Sequence, residues 1–197
     1  MDSRISDQYW EHKKRALTGY EAGFGTYDQL YGEEQEKKYE RCSPYLNGLS
    51  DKVVLDCGCG TGTALKRLFG QGGFFVGVDY SRAMLKLAWE RVRLADNVDL
   101  VCADADSLPF KSAAFDQVIS FTMLGNMPEM GRTLCEFMRV ARDSAQIVLS
   151  LGKKNVKADD VLRFIERASI RLKEFVDDDD IKDWIAVGEK SPEAASQ

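Results

Sequence analysis

Glycine occupies every second position at Gly58, Gly60 and Gly62, directly after the run Val53-Val-Leu-Asp-Cys57. An apolar run that passes through one acid into alternating glycines reads as a buried strand ending in a tight loop, and the residues from Thr63 then read as a helix. Glycine reaches left-handed backbone angles and lets a ligand approach main-chain atoms that a Cβ would shield. A strand, a glycine loop and a helix N-terminus form a nucleotide-type pocket at the carboxyl edge of an open parallel sheet. Alone, this stretch fits several nucleotide cofactors.

The rest of the chain keeps the same rhythm. Phe74–Asp79 is apolar throughout, as in a strand covered on both faces, and Ser81 is placed to cap the next helix. In that helix Leu85, Ala88, Val92 and Ala95 recur at helical spacing, and Trp89 is assigned to the core. Val98–Ala103 reads as a third buried strand, Ser107–Phe110 as a turn and Phe115–Phe121 as a fourth strand. Pro128 opens a helix with Leu134, Phe137 and Met138 on one face, and Ala145–Leu151 is a fifth strand. Such alternation predicts an α/β fold with a parallel sheet, right-handed crossovers and helices on both faces. Near the end the rhythm changes. A helix over Asp159–Ala168 precedes two short strand-like runs, Ile170–Val176 and Trp184–Val187, which pair antiparallel around a solvated turn at Asp177–Asp180.

Residues 1–45 precede the first strand and carry six of the seven tyrosines. Pairs Glu33 with Lys37 and Glu34 with Lys38 predict a helix over Gln29–Arg41 with a charged outer face. Tyr27 and Tyr31 follow the flexible Gly23-Phe-Gly25 and are candidates for a lid over the glycine loop. The expected division is an N-terminal aromatic lid segment at 1–45, one cofactor-binding domain at 46–190 and a disordered tail at 191–197.

Composition bounds the function. A net charge of −5 argues against general nucleic-acid binding, and no apolar run approaches the roughly 18 residues of a membrane span. Five cysteines, an odd number, with only His12 as histidine, fit reduced buried thiols and no metal site. With no secretory pattern at Met1–Asp7, the expected location is the cytoplasm.

Asp79 lies at the end of the second strand, 23 residues after Asp56, where a carboxylate can accept both hydroxyls of a ribose. A dinucleotide fingerprint places its third glycine one residue later, which disfavours a nicotinamide-dependent oxidoreductase. With these features the chain resembles the Rossmann-like (class I) S-adenosylmethionine-dependent methyltransferases over Gly25–Lys190. The family's acid-x-Gly-x-Gly-x-Gly loop is matched by Asp56-Cys-Gly58-Cys59-Gly60-Thr-Gly62, its ribose acid by Asp79 and its adenine-side acid by Asp104. Phe115–Phe121 resembles the fourth-strand motif, and Glu136–Val140 the following helix of the small-molecule branch.

The resemblance implies a seven-stranded, mostly parallel sheet with a C-terminal antiparallel hairpin. It also implies S-adenosylmethionine as cofactor, S-adenosylhomocysteine as product and a small-molecule acceptor. The cofactor would lie along Asp79, Tyr80, Asp104 and Ala105, with its methionine portion against the glycine loop and Phe121, under Tyr27 and Tyr31. Thr122–Pro128 lacks the Asn-Pro-Pro-aromatic signature, which sets the chain apart from methylases of bases or glutamine. The chain also lacks a large insertion after the fifth strand, so the N-terminal segment, a protein partner or a second copy must cover the acceptor. No catalytic base is assigned. The alternative is a non-catalytic S-adenosylmethionine-binding subunit with a regulatory or scaffolding role.

Overall fold

The computed structural model describes residues 3–192, without the side chains of residues 3–6 and of Phe24. Seven strands form one sheet: β1 (Val53–Cys57), β2 (Phe74–Asp79), β3 (Val98–Cys102), β4 (Phe115–Phe121), β5 (Ala141–Gly152), β6 (Ile170–Val176) and β7 (Asp183–Lys190). Their order is β3-β2-β1-β4-β5-β7-β6. The first five pair in parallel, and β7 runs antiparallel to both β5 and β6. Strand order reverses direction between β1 and β4, the topological switch at which open α/β sheets bind ligands.

Two helices, α1 (Ser3–Gly23) and α2 (Tyr27–Cys42), precede the sheet. Four more alternate with or follow its strands: α3 (Thr63–Leu68), α4 (Arg82–Val92), α5 (Met130–Val140) and α6 (Ala158–Arg167). Two cores result, one on each side of the sheet. On one side Tyr39 and Cys42 of α2, Leu65 and Leu68 of α3 and Val92 of α4 pack with Val54, Phe75, Ile119 and Val148. On the other, Leu134, Phe137 and Met138 of α5 and Val161 and Ile165 of α6 pack with Leu55, Val118, Ile147 and Leu149. Alternate residues of β1 thus face opposite cores, as the two-residue strand period requires.

Several expectations are corrected. Trp89 is 55% exposed rather than core, because the buried stripe of α4 is Met84, Ala88 and Val92. β3 is the sheet edge and only half covered, with Asp99 and Cys102 exposed, where a fully buried strand was expected. Cys102 and Cys135 are exposed while the other three cysteines are buried. The helix expected at Pro128 begins at Met130 after a capping position at Glu129. Lys38, expected on the charged outer face of α2, is buried at 2% exposure. Of the tail expected to be disordered, residues 193–197 lie outside the described residues, and the Ser191 N–H donates to the Ser169 carbonyl at 3.0 Å.

Phe137 is fully buried against the sheet. Phe137→Ala is expected to lower unfolding free energy by about 3–5 kcal/mol, the range for a large aromatic truncated in a tight core. Urea titration checks this; a loss under about 1 kcal/mol would show that the α5 core rearranges to fill the cavity.

Candidate functional site

The glycine loop ties the ends of two strands together. Gly58, Gly60 and Gly62 all take positive φ, at 81°, 51° and 75°. The Gly58 and Cys59 N–H groups donate to the Val78 carbonyl at 2.8 and 3.0 Å, and the Gly60 N–H donates to Asp79 Oδ2 at 2.9 Å. Asp79 Oδ1 accepts from the Ser81 N–H at 2.8 Å, and the Ser81 side chain caps α4 by accepting from the Met84 N–H. The Asp79 carboxylate is therefore aimed by the backbone on both sides. Burial pushes its pKa up, and the N–H groups of Ser81 and Gly60 partly offset that.

Around Asp79 opens a cleft of about 610 Å³, counted to its mouth. Its walls are Cys57 and Gly58 from the end of β1, Val78–Ser81 from β2, Ala103–Ala105 after β3, and Met123 with Asn126–Pro128 after β4. A second hollow of about 350 Å³ shares Tyr20, Gly58, Asp79 and Met123 with the first and adds Tyr27, Gly60, Met84, Phe121 and Thr122. Gly58 is sterically required: a Cβ there would lie 2.5 Å from Met123 Cβ.

Of the residues singled out from sequence, Gly58, Gly60, Asp79, Tyr80, Asp104, Ala105, Phe121 and Tyr27 all line these hollows. Tyr31 does not; it is half exposed and packs on Tyr27 with ring centroids 4.9 Å apart. Gly62 is the N-cap of α3 and is pressed against Ala88, where a Cβ would come within 2.8 Å of the Ala88 Cβ. Cys59 is buried behind the loop against Gly77. Asp56 is buried on the α2 side with Oδ2 unpartnered, and burial together with the Asp79 charge raises its pKa to about 8.

Sequence reasoning missed the face of α1 that closes the cleft: His12, Lys13, Ala16, Leu17 and Tyr20. Lys13 Nζ reaches Asp104 Oδ1 and Oδ2 at 2.6 and 2.7 Å and Asp106 Oδ2 at 2.6 Å. Tyr9 donates to Asp106, as does Thr133. Burial disfavours the Asp106 charge, but Lys13, Thr133 and Tyr9 outweigh it and hold the carboxyl below its usual range. Farther along α1, His12 Nε2 lies 2.9 Å from the Asn126 carbonyl, and Asn126 Nδ2 donates to the Tyr20 hydroxyl at 3.2 Å. The spacing of residues 9, 12, 13, 16, 17 and 20 on one helical face was the available signal, but the face mixes charged, aromatic and small residues and carries no apolar stripe.

A parallel sheet with a carboxylate and a glycine loop at its switch point defines a nucleoside-cofactor-binding α/β protein. Residues 55–149 match the methyltransferase domain family. A demethylmenaquinone methyltransferase of Staphylococcus saprophyticus is 34% identical over 131 residues, covering 63% of this chain and 56% of that protein. The homologous enzyme of Bacillus licheniformis is 30% identical, covering 70% and 63%. The chain thus spans about half to two thirds of these relatives. The solved magnesium protoporphyrin IX methyltransferase of Synechocystis, with bound S-adenosylmethionine, superposes with a TM-score of 0.80 at 18% identity, over 91% of this chain and 97% of that one. Over residues 55–149, just under half of the chain, the sequence matches the methyltransferase domain, and its fold is that of solved S-adenosylmethionine-dependent methyltransferases.

The buried Asp56 carboxyl gives the protein a defined pH dependence. Its folded pKa lies above the unfolded value of 3.8, so the native state binds the extra proton and stability falls as pH rises from about 4 through about 8. Asp79 is shifted the same way. Asp56→Asn is expected to flatten that slope and to raise the melting temperature at pH 8.5 relative to pH 6; thermal melts at the two values check it, and an unchanged slope would refute the burial argument.

Proposed function

We propose that this chain transfers methyl groups from S-adenosylmethionine to a small-molecule acceptor in the cytoplasm. The observation that carries the reading is the Asp79 carboxylate, oriented by Gly60 and Ser81 and open to the cleft at the ends of β1, β2 and β4. A carboxylate so held has lone pairs left for a ribose diol.

The residues present fit the cofactor. Tyr80, Ala103 and Ala105 offer a largely apolar slot beside Asp79 for an adenine, with Asp104 at its end. Asp104 already carries Lys13, so an adenine amino group would share that carboxylate. The second hollow, with Gly60, Phe121 and Thr122, takes the amino-acid end, and Tyr20 and Tyr27 provide aromatic surfaces suited to a cation. Asp56, Cys59 and Gly62 shape the loop from behind, and Tyr31 backs Tyr27. When bound, S-adenosylmethionine supplies an electrophilic methyl on a sulfonium sulfur that departs as the neutral thioether S-adenosylhomocysteine. The chain's own part is to hold two reactants in line and exclude water, which can supply much of the rate. Residues 1–45 act as the cover: α1 is fastened across the cleft by Lys13 and His12, and α2 brings Tyr27 to it.

Leu17, Met123, Met127 and Pro128 make the region between α1 and the turn after β4 apolar, in keeping with a small apolar acceptor of the kind for which the relatives are named. All five cysteines are free, and no helix among the described residues is long and apolar enough to cross a membrane, which agrees with the cytoplasm. A protein with this fold need not transfer methyl groups: a [4+2]-cyclase, SpnF, superposes at a TM-score of 0.66 with 19% identity. Release of S-adenosylhomocysteine is therefore the deciding assay.

Calorimetry is expected to show S-adenosylmethionine binding that Asp79→Ala weakens by about 10- to 100-fold, the loss of about 1.5–3 kcal/mol of charged hydrogen bonding. Equal affinity in the variant would sink the Asp79 assignment. Gly58→Ala is expected to abolish binding through the collision with Met123. Incubation with quinol and metabolite-extract acceptors should release S-adenosylhomocysteine; binding without release with any acceptor would favour the non-catalytic subunit, and NAD binding alone would favour an oxidoreductase.

A further inference from the structure

The residue that follows β4 has an unusual position. Thr122 walls the second hollow, yet it is a β-branched residue in left-handed backbone, with φ at 63°. That conformation costs a non-glycine residue of order 1–3 kcal/mol and persists only where the surroundings enforce it. The enforcement comes from three directions. The Thr122 N–H donates to Ser150 of β5, at 2.9 Å to Oγ and 3.0 Å to the carbonyl. Its hydroxyl donates to Asp183 Oδ2 at 3.0 Å and accepts from Lys38 Nζ at 2.8 Å and, more weakly, from Gln35 Nε2 at 3.4 Å. Lys38 and Asp183 themselves pair at 2.8 Å, their side chains 2% and 4% exposed, and Ser150 Oγ donates to the same Asp183 oxygen at 2.8 Å.

Neither Lys38 nor Asp183 lines the cleft. Lys38 comes from the C-terminal half of α2 and Asp183 is the first residue of β7, so the two groups meet Thr122 from a helix before the sheet and from a strand two places from β4. The effect passes further, because the Thr122 carbonyl accepts from Asn126 Nδ2 at 3.1 Å, and the same amide reaches Tyr20 of α1. A buried ion pair is weak support for stability in itself, since desolvation offsets the attraction. Its retention behind a strained residue at a cleft wall calls for another role.

We propose that Lys38 and Asp183 are a positioning pair, acting through the Thr122 hydroxyl to hold the end of β4 in the backbone form that shapes the amino-acid end of the cofactor cleft. The inference rests on the reading of that cleft as an S-adenosylmethionine site. The pair touches no reactant. Its variants should change cofactor affinity by way of residue 122 alone.

The test is calorimetry on the full chain with S-adenosylmethionine and S-adenosylhomocysteine as probes. Lys38→Met with Asp183→Asn removes both charges, so neither is left buried alone. In the Thr122 protein this double change is expected to weaken both ligands about tenfold, equivalent to about 1.4 kcal/mol. With Thr122→Gly also present it should cost less than about threefold, because glycine adopts the left-handed form without a brace. Thr122→Val keeps the ion pair and removes only the hydroxyl; it provides the same tenfold test should the double variant not fold. Wild-type affinity in folded Lys38→Met/Asp183→Asn and in Thr122→Val overturns the proposal, as does a loss that is the same with and without the glycine. A wild-type chain that binds neither ligand overturns the cofactor reading, and this proposal with it.

Discussion

Three left-handed glycines at the end of β1 are the constraint on which the rest of the site depends. Because Gly58 carries no Cβ, Met123 can lie against it and bring the turn after β4 over the sheet edge. Because Gly62 carries none, α4 can press Ala88 against the loop, and the same helix then starts at Ser81 with Asp79 beside it. The loop N–H groups that glycine frees are not left pointing at solvent: two bind Val78 and one binds Asp79. The loop therefore serves first as a fixture for the β2 carboxylate.

What was legible in the sequence was what depends on short-range pattern. The strand-glycine-helix unit, the strand end at Asp79 and the antiparallel close after α6 each occupy a few consecutive residues, and their periodicity or spacing shows in the sequence. Edges and surfaces were less legible. β3 reads as an apolar run interrupted only by Asp99, and its position at the sheet edge decides its exposure. Trp89 has the composition of a core residue and lies on the outer side of α4 because Met84, Ala88 and Val92 already fill the contact.

The features that stayed hidden are held by charge over long sequence distance. Lys13 is 91 residues from Asp104, and Lys38 is 84 residues from Thr122. A lysine in a polar helix gives no local sign that it will be buried, because its partners supply the reason and they arrive by folding. Lys38 illustrates the difficulty: its i,i+4 partner Glu34 suggested a solvated face, yet that contact is 3.9 Å while the buried one to Asp183 is 2.8 Å. The local pair was real and secondary.

The charges around the cleft also bear on which ligand it should prefer. Asp56, Asp79, Asp104 and Asp106 all lie near enough to Cys57 to act on its thiol. Lys13 neutralises part of this, but it is spent on Asp104 and Asp106 at one end. Asp79 at the other end and Asp56 behind the glycine loop both have pKa values raised by burial, and the Asp79 charge adds to the shift at Asp56. A cation entering beside Asp79 favours its charged form, whereas a neutral group of the same outline does not. The Asp79 charge is thus the ground on which the cleft can tell a cation from a neutral group of the same outline, and a ligand shifts an equilibrium only through such a difference.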